Sequence, residues 1–288
     1  MSDRIDVRKT YKLFIGGAFP RSESGRSYEV TDAKGRFLAN AALASRKDAR
    51  DAVLAARSAA SKWAAATAYN RGQVLYRIAE MLEGRRDQFI TEVARAEGCT
   101  SRQAAAAVDA AIDRWVWYAG WTDKFSAVVG GTNPVAGPYF NFSLPEATGV
   151  VAAAAPEESA LLGLVSVVAP IIATGNTVVV VASPNRPLPA ITLAEVVATS
   201  DLPGGVINIL TGKQSEILPW LASHSDVNAI DLTGVTDHAL ATELERAAAD
   251  SVKRVYRSEP RADWTATPGL DRMRAFVETK TVWHPVGM

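Results

Sequence analysis

Hydrophobic positions are densest between Pro145 and Val181. Residues 149–155 form one continuous apolar run, Pro156-Glu157-Glu158-Ser159 interrupts it, an apolar segment of helical length follows to Ile172, and after Thr174-Gly175-Asn176 a second apolar run ends at Val181. Short apolar runs without alternation predict strands buried on both faces, and a helix between two of them makes the connection of a parallel pair. Such a crossover is right-handed, which places the break after the first run at the carboxyl edge of the sheet, where open α/β sheets bind ligands. The chemistry of the chain is expected there.

The same reading extends outward. Residues 12–15, Gly16-Gly17 and Ala18-Phe19 predict a hairpin, because two glycines supply the positive φ angles of a two-residue turn. Ser45 to Asp48 predicts a capping box, followed by Val53, Ala56, Ala60 and Trp63 at helical spacing. A second helix carries Leu75, Ile78 and Leu82, and a third starts near Ser101 and places Ile112, Trp115, Val116 and Ala119 on one face. Residues 135–142 read as extended, with Pro138 marking an edge or interrupted strand. Beyond the central unit, helices are expected at 188–199, 215–222 and 237–249, and strands at 206–210, 227–232 and 252–256. Strands alternating with helices predict an α/β fold, a doubly wound parallel sheet with helices on both faces. Residues 258–270 lose all periodicity and read as a loop, and 276–283 read as a lone strand that needs an edge to pair with.

Composition narrows the partners. Thirty-one basic residues offset thirty-one acidic ones, so no global field draws nucleic acid or an anionic membrane. The charged start, MSDRIDVRKT, has no apolar signal core, and the longest apolar stretch is broken by Pro170. One cysteine, Cys99, excludes an internal disulfide, and His224, His238 and His284 are too scattered for a metal cluster. The expectation is a cytoplasmic protein without metal.

LFIGGAF, RGQVLYRIAEMLEGR, YAGWTDK, the G-V-V to GNTVVV stretch, SDLPGGVINILTG and H-x-D-V-N-A-I-D-L-T-G, in this order, resemble the aldehyde dehydrogenase superfamily over nearly the whole chain. The resemblance implies a Rossmann-like cofactor domain plus a β oligomerisation arm made from the N-terminal hairpin and the strands near 135–142. It divides the chain into 1–144 (hairpin, helices and arm), 145–257 (Rossmann-like domain), 258–273 (a linker where the family has its catalytic domain) and 274–288 (a C-terminal oligomerisation strand). The family's nucleophilic cysteine belongs to that missing domain, and without a thiolate no thiohemiacetal forms. Nothing in the AEGCTSRQ context of Cys99 supplies a base or a positive environment, so no catalytic residue is assigned.

The remaining family positions are eroded. The oxyanion-stabilising asparagine corresponds to Glu158, a carboxylate that accepts but cannot donate; losing such a donor costs about 3 kcal/mol. The general-base glutamate falls at Ser258, with Glu259 one residue away. The ribose-binding lysine and its acidic partner correspond to Val181 and Pro184, and the serine after the phosphate-side glycine to Val235. Gly234 and Thr236 remain as cofactor-binding positions, where backbone N–H groups at a helix entry face a pyrophosphate. Any hold on NAD(P) is expected to be weak. Two functions follow: a non-catalytic subunit that joins a full-length aldehyde dehydrogenase paralogue as a hetero-oligomer, or a nucleotide-binding oxidoreductase or sensor using the residual Rossmann-like domain.

Overall fold

Alternate residues of the two central apolar runs go to opposite sides of one sheet, and this split organises the molecule. The computed structural model describes residues 9–258 and 262–287; the expectations for the charged N-terminus and for Glu259 lie outside the described residues. The chain begins β1 (Thr10–Tyr11), β2 (Ser27–Thr31), β3 (Phe37–Ala42), α1 (Arg46–Ala65), α2 (Ala68–Glu83), α3 (Arg86–Glu97), α4 (Ser101–Trp121), α5 (Phe125–Val129), β4 (Gly131–Thr132) and β5 (Tyr139–Ala147). It continues β6 (Val150–Ala154), α6 (Leu162–Ala173), β7 (Thr177–Val181), α7 (Leu188–Val197), β8 (Ile207–Leu210), α8 (Gln214–Ser223), β9 (Ala229–Asp231), α9 (His238–Ala249), β10 (Arg254–Tyr256), α10 (Asp271–Ala275) and β11 (Val277–Pro285).

Five strands form a parallel sheet in the order β10-β9-β6-β7-β8, with Val150 opposite Thr177 and Val151 opposite Ala229. This is the predicted doubly wound sheet. Every residue of β6 and β7 is buried. Val151, Ala153, Val178 and Val180 pack with α6 and α7 and the α2–α4 layer behind them, whereas Val150, Ala152, Val179 and Val181 pack with α1, α8 and α9. Period-two alternation with both faces apolar is what a central parallel strand requires.

Helix α1 starts on the expected box: the Ser45 hydroxyl accepts the Asp48 amide, and the Asp48 carboxylate accepts the Ser45 amide at 2.7 Å. At its far end the Trp63 indole N–H donates to the Ile172 carbonyl at 2.9 Å, pinning α1 to the end of α6. Helix α3 was not anticipated, since its buried stripe is only Phe89, Val93 and Ala96. Val116, expected on the buried face of α4, is 40% exposed, because the packed stripe runs through Val108, Ala111, Trp115 and Tyr118 instead. The β2–β3 ribbon also went unread.

The glycine turn forms as expected. Ile15 and Ala18 exchange two backbone hydrogen bonds of 3.0 Å, with Gly16 at φ 62° and Gly17 at φ 85°. Its place differs from the expectation: Phe14 and Ile209 exchange bonds of 2.9 and 2.7 Å, so the turn covers the outer edge of β8 and is not part of the arm. An exposed edge of a main sheet is thereby closed.

The arm is a separate sheet, β11-β5-β4. Strand β5 starts after Pro138 and runs through Pro145, past the boundary placed at 145, and β11 pairs with it antiparallel from Val277 opposite Ala147 to Pro285 opposite Tyr139. The tail strand thus finds its edge within its own chain. No helix among the described residues is long and apolar enough to cross a membrane.

Candidate functional site: the carboxyl edge of the parallel sheet

The strand order reverses at β6, which lies between β7 and β9, so the crevice beyond their carboxyl ends is where a doubly wound sheet places a ligand. Here that crevice is bridged by the protein's own groups. Gly234 after β9 donates its amide to the Ala154 carbonyl at 3.1 Å, and the Gln214 side chain donates to the Ala155 carbonyl at 3.0 Å. The seat of Gly234 is so close that a Cβ would lie 2.2 Å from the Ala155 oxygen. The glycine is required by backbone approach, whatever else it does.

The two positions expected to hold a cofactor behave differently. The Gly234 amide is engaged by Ala154, and the Val235 amide by Leu232 at 2.9 Å. Thr236 is exposed, and its amide has no protein partner among the described residues. One residue on, Asp237 caps α9, its carboxylate accepting the amides of Ala239 at 2.8 Å and Leu240 at 3.4 Å. A capping carboxylate puts negative charge at the helix end that a phosphate would otherwise occupy.

Val181 is fully buried between Ala154 and Leu210. Pro184 lies on the wall of a cleft of about 590 Å³ beyond β7 and β8, near Tyr28, Arg186 and Lys213. On its inner side the Ser183 hydroxyl donates to the Glu157 carboxylate at 2.6 Å, and Arg186 donates to the Glu157 carbonyl at 3.0 Å. Neither Val181 nor Pro184 can donate to a ribose, the glycine amide is spent, and the helix entry carries a carboxylate. These residues do not fit a nicotinamide dinucleotide.

Beyond β6, β9 and β10 the edge is covered by the segment leading to β11. Glu158 is exposed, and its carboxylate accepts the Trp264 indole N–H at 2.9 Å. Arg114, on α4 and only 8% exposed, donates to the Trp264 carbonyl at 2.8 Å, to the Ala266 carbonyl at 3.0 Å and to the Ser166 hydroxyl at 3.1 Å. Arg272 on α10 pairs with the buried Asp231 carboxylate at 2.6 Å and lies 4.7 Å over the Tyr256 ring. Met273 and Phe276 are fully buried and fix this segment to the core. The position that the family resemblance gives to an oxyanion donor therefore holds an acceptor, already paired with the chain's own loop.

Cys99 sits between α3 and α4, where burial, and then the nearby Glu97 carboxylate, push its thiol above the ordinary range. Such a thiol stays protonated and is a poor nucleophile. Ser258, just after β10, lies on the wall of a small cavity bounded by Arg114, Tyr118 and Arg272. His224, His238 and His284 lie in separate parts of the fold, and the described residues contain no group of three or more potential metal ligands.

Sequence reasoning missed Arg114, Asp231, Trp264 and Arg272. Only Arg114 left a signal: a cation set between Ala111 and Tyr118 on the apolar stripe of α4.

Known proteins agree with this architecture. The sequence profile of the aldehyde dehydrogenase family matches residues 19–257. Human retinal dehydrogenase 2 is 33% identical over 256 residues, which is 87% of this chain and 48% of that protein. Aldehyde dehydrogenase, cytosolic 1, of Elephantulus edwardii is 31% identical over 260 residues, 87% of this chain and 50% of that one. Among solved structures, the NAD+ complex of aldehyde dehydrogenase from Bacillus cereus superposes with a TM-score of 0.81 at 28% identity, covering 86% of this chain and 50% of that chain. The chain spans about half the length of these relatives. With a family profile matched over most of its length and a Rossmann-like sheet shared with these structures, the chain belongs to the aldehyde dehydrogenase family.

Proposed function

We propose that this chain is a catalytically incomplete member of the family, a non-catalytic subunit that associates with a full-length aldehyde dehydrogenase through its β11-β5-β4 sheet. The observation that carries the reading is the outer edge of β11, which has no strand partner along its nine residues among those described. Tyr139, Phe140, Leu144 and Trp283 on this sheet are between 42% and 59% exposed. An open edge beside exposed aromatic side chains is a template for strand addition by another chain. The loop at the carboxyl edge supports the same reading, because only residues 257–276 separate β10 from β11, and Trp264 among them is bonded to the break after β6. The proposal places the protein in the cytoplasm, where a lone thiol stays reduced.

Co-expression with a full-length paralogue from the same genome tests it. The expected result is a mixed complex that co-purifies and elutes ahead of either protein alone. This chain eluting as a separate monomer beside its paralogue would overturn the proposal. The rival reading, a nucleotide sensor, rests only on the open Thr236 amide, and titration calorimetry with millimolar NAD+ and NADP+ separates the two: heat on mixing favours the sensor.

A further inference from the structure

A groove of about 700 Å³ runs between α2 and α4, with Tyr69, Gln73 and Tyr76 on one wall and Val116, Gly120 and Lys124 on the other. The helices meet at its floor: a Cβ on Gly72 would lie 2.6 Å from the Thr122 hydroxyl and 3.0 Å from the Ala119 carbonyl. A Cβ on Gly120 would meet nothing within 4 Å, so the α4 wall is open at that level. We infer that this groove docks a proline-rich segment of another protein, in polyproline II conformation, with a basic residue beside the prolines. The inference stands apart from the association proposal and uses neither the arm nor the carboxyl edge.

Spacing is the first argument. Tyr69 and Tyr76 are 68% and 52% exposed. Two turns apart on α2, they share one stripe of the helix and stand about 10 Å apart along its axis. One turn of polyproline II advances about 9 Å over three residues, so prolines three positions apart meet successive rings. Val116, 40% exposed, adds an apolar contact from α4. Aromatic-lined grooves recognise such segments because the ligand is already extended and loses little entropy on docking.

The polar groups between the rings are the second. The side chains of Asn70 and Gln73 stand on the same wall as the tyrosines, and the Gln73 amide donates to the Tyr69 hydroxyl at 3.5 Å. A polyproline II backbone has no internal hydrogen bonds, so its carbonyls are free to accept from amide and phenol donors. An α-helix has spent most of its carbonyls and docks through a continuous apolar stripe, which Asn70, Gln73 and Arg77 interrupt here. Strand addition needs a sheet edge, and the lining residues lie on α2, on α4, in the turn after α4 and at position 201.

Charge selects the flanking residue. Glu80, Asp123 and Asp201 on the lining outnumber Arg77 and Lys124. Arg77 pairs with Glu80 at 3.2 Å and Lys124 with Asp123 at 2.9 Å, so the exposed Asp201 carboxylate sets the sign at the rim. A basic residue beside the prolines complements it. Solvent screens such a contact, which orients the segment more than it tightens it.

The test is titration calorimetry of the full chain with three acetylated, amidated peptides at equal ionic strength: RPLPPLP, EPLPPLP and the alanine-substituted RALAALA. One-to-one binding of RPLPPLP is expected, with EPLPPLP about threefold weaker and RALAALA giving no heat. The variant Y69A/Y76A, altered only at exposed helical positions, should keep the melting temperature of the parent and bind RPLPPLP at least tenfold more weakly. Asp201→Asn should close the gap between RPLPPLP and EPLPPLP, since Asn tolerates the φ of 59° found there. No heat with RPLPPLP at millimolar concentration, equal binding of RALAALA, unchanged affinity in Y69A/Y76A, or a gap between the two proline peptides that is absent in the parent or persists in Asp201→Asn would each overturn the inference.

Discussion

Trp264 donates its indole N–H to the carboxylate of Glu158 at 2.9 Å, joining the loop after β10 to the break that follows β6. The same loop is held from the other side by Arg114. The part of the carboxyl edge beyond β6, β9 and β10, normally an open face in such a sheet, is thereby covered by the chain itself.

Trp264→Phe keeps an aromatic ring, though a smaller one, and removes the donor. A loss of about 1 kcal/mol is expected, together with faster proteolytic cleavage within residues 262–270. Glu158→Asn restores the family's donor type at this position but adds no thiolate, so incubation with aldehydes and NAD+ should show no nicotinamide reduction. Turnover by either purified variant would contradict the proposed non-catalytic role.

Arg272 faces an Asp231 side chain that is fully buried. Arg272→Met strands that carboxylate, and removal of one partner of a buried pair costs about 3 to 5 kcal/mol. The double variant D231N/R272M should recover part of the loss, since the Asn oxygen can still accept the Thr233 amide. Urea denaturation of the two variants checks both statements; equal destabilisation would show that the stranded Asp231 charge is not what Arg272→Met costs.

Gly234→Ala forces a Cβ against backbone oxygen on β6, where nothing can swing aside. A loss of at least about 2 kcal/mol is expected, or about 4 °C or more in Tm. Gly120→Ala is the control: it sits at an exposed helical position with open space around it, and should be neutral or stabilising. Calorimetric melting of the two variants side by side decides whether close approach is what Gly234 serves.

Glu92 is half-buried, and desolvation holds its carboxyl above its ordinary value of 4.5, while the Tyr11 hydroxyl donates to it at 2.6 Å. Lys9 opposes that shift and Glu195 adds to it. The folded chain therefore keeps a proton that the unfolded chain releases, so this contribution to stability is complete below 4.5 and is lost as pH rises through the raised folded value. Glu92→Gln removes the dependence. Urea midpoints measured from pH 4.5 to 7 should shift in favour of the variant as pH rises, and parallel curves would refute the assignment.

Phe140 and Trp283 are 50% and 59% exposed on neighbouring strands of the arm, with His284 opposite Phe140 and Trp283 opposite Asn141. The variant F140S/W283S should fold normally and weaken the mixed complex with a full-length relative at least tenfold by size exclusion or calorimetry. Undiminished association would place the contact elsewhere.

Local pattern carried the frame of this protein. Apolar runs at 149–155 and 177–181 are buried on both faces because a central parallel strand leaves no side chain in water, and that condition is written in residue type alone. Gly16-Gly17 and the Ser45–Asp48 box were equally legible, since turn and cap chemistry act within a few residues. The thin stripe of α3 and the exposure of Val116 were not, because which side of a helix packs depends on neighbours far away in the chain. The site shows the same division. Sequence told that Val181 and Glu158 differ in chemistry from the family's residues, but only tertiary structure decided that the Gly234 amide is given to Ala154, that Trp264 reaches Glu158, and that Arg114 holds the carbonyls of Trp264 and Ala266. Hydrogen bonds and ion pairs are contacts between distant segments, and their partners are set by how the layers stack, which no local spacing encodes.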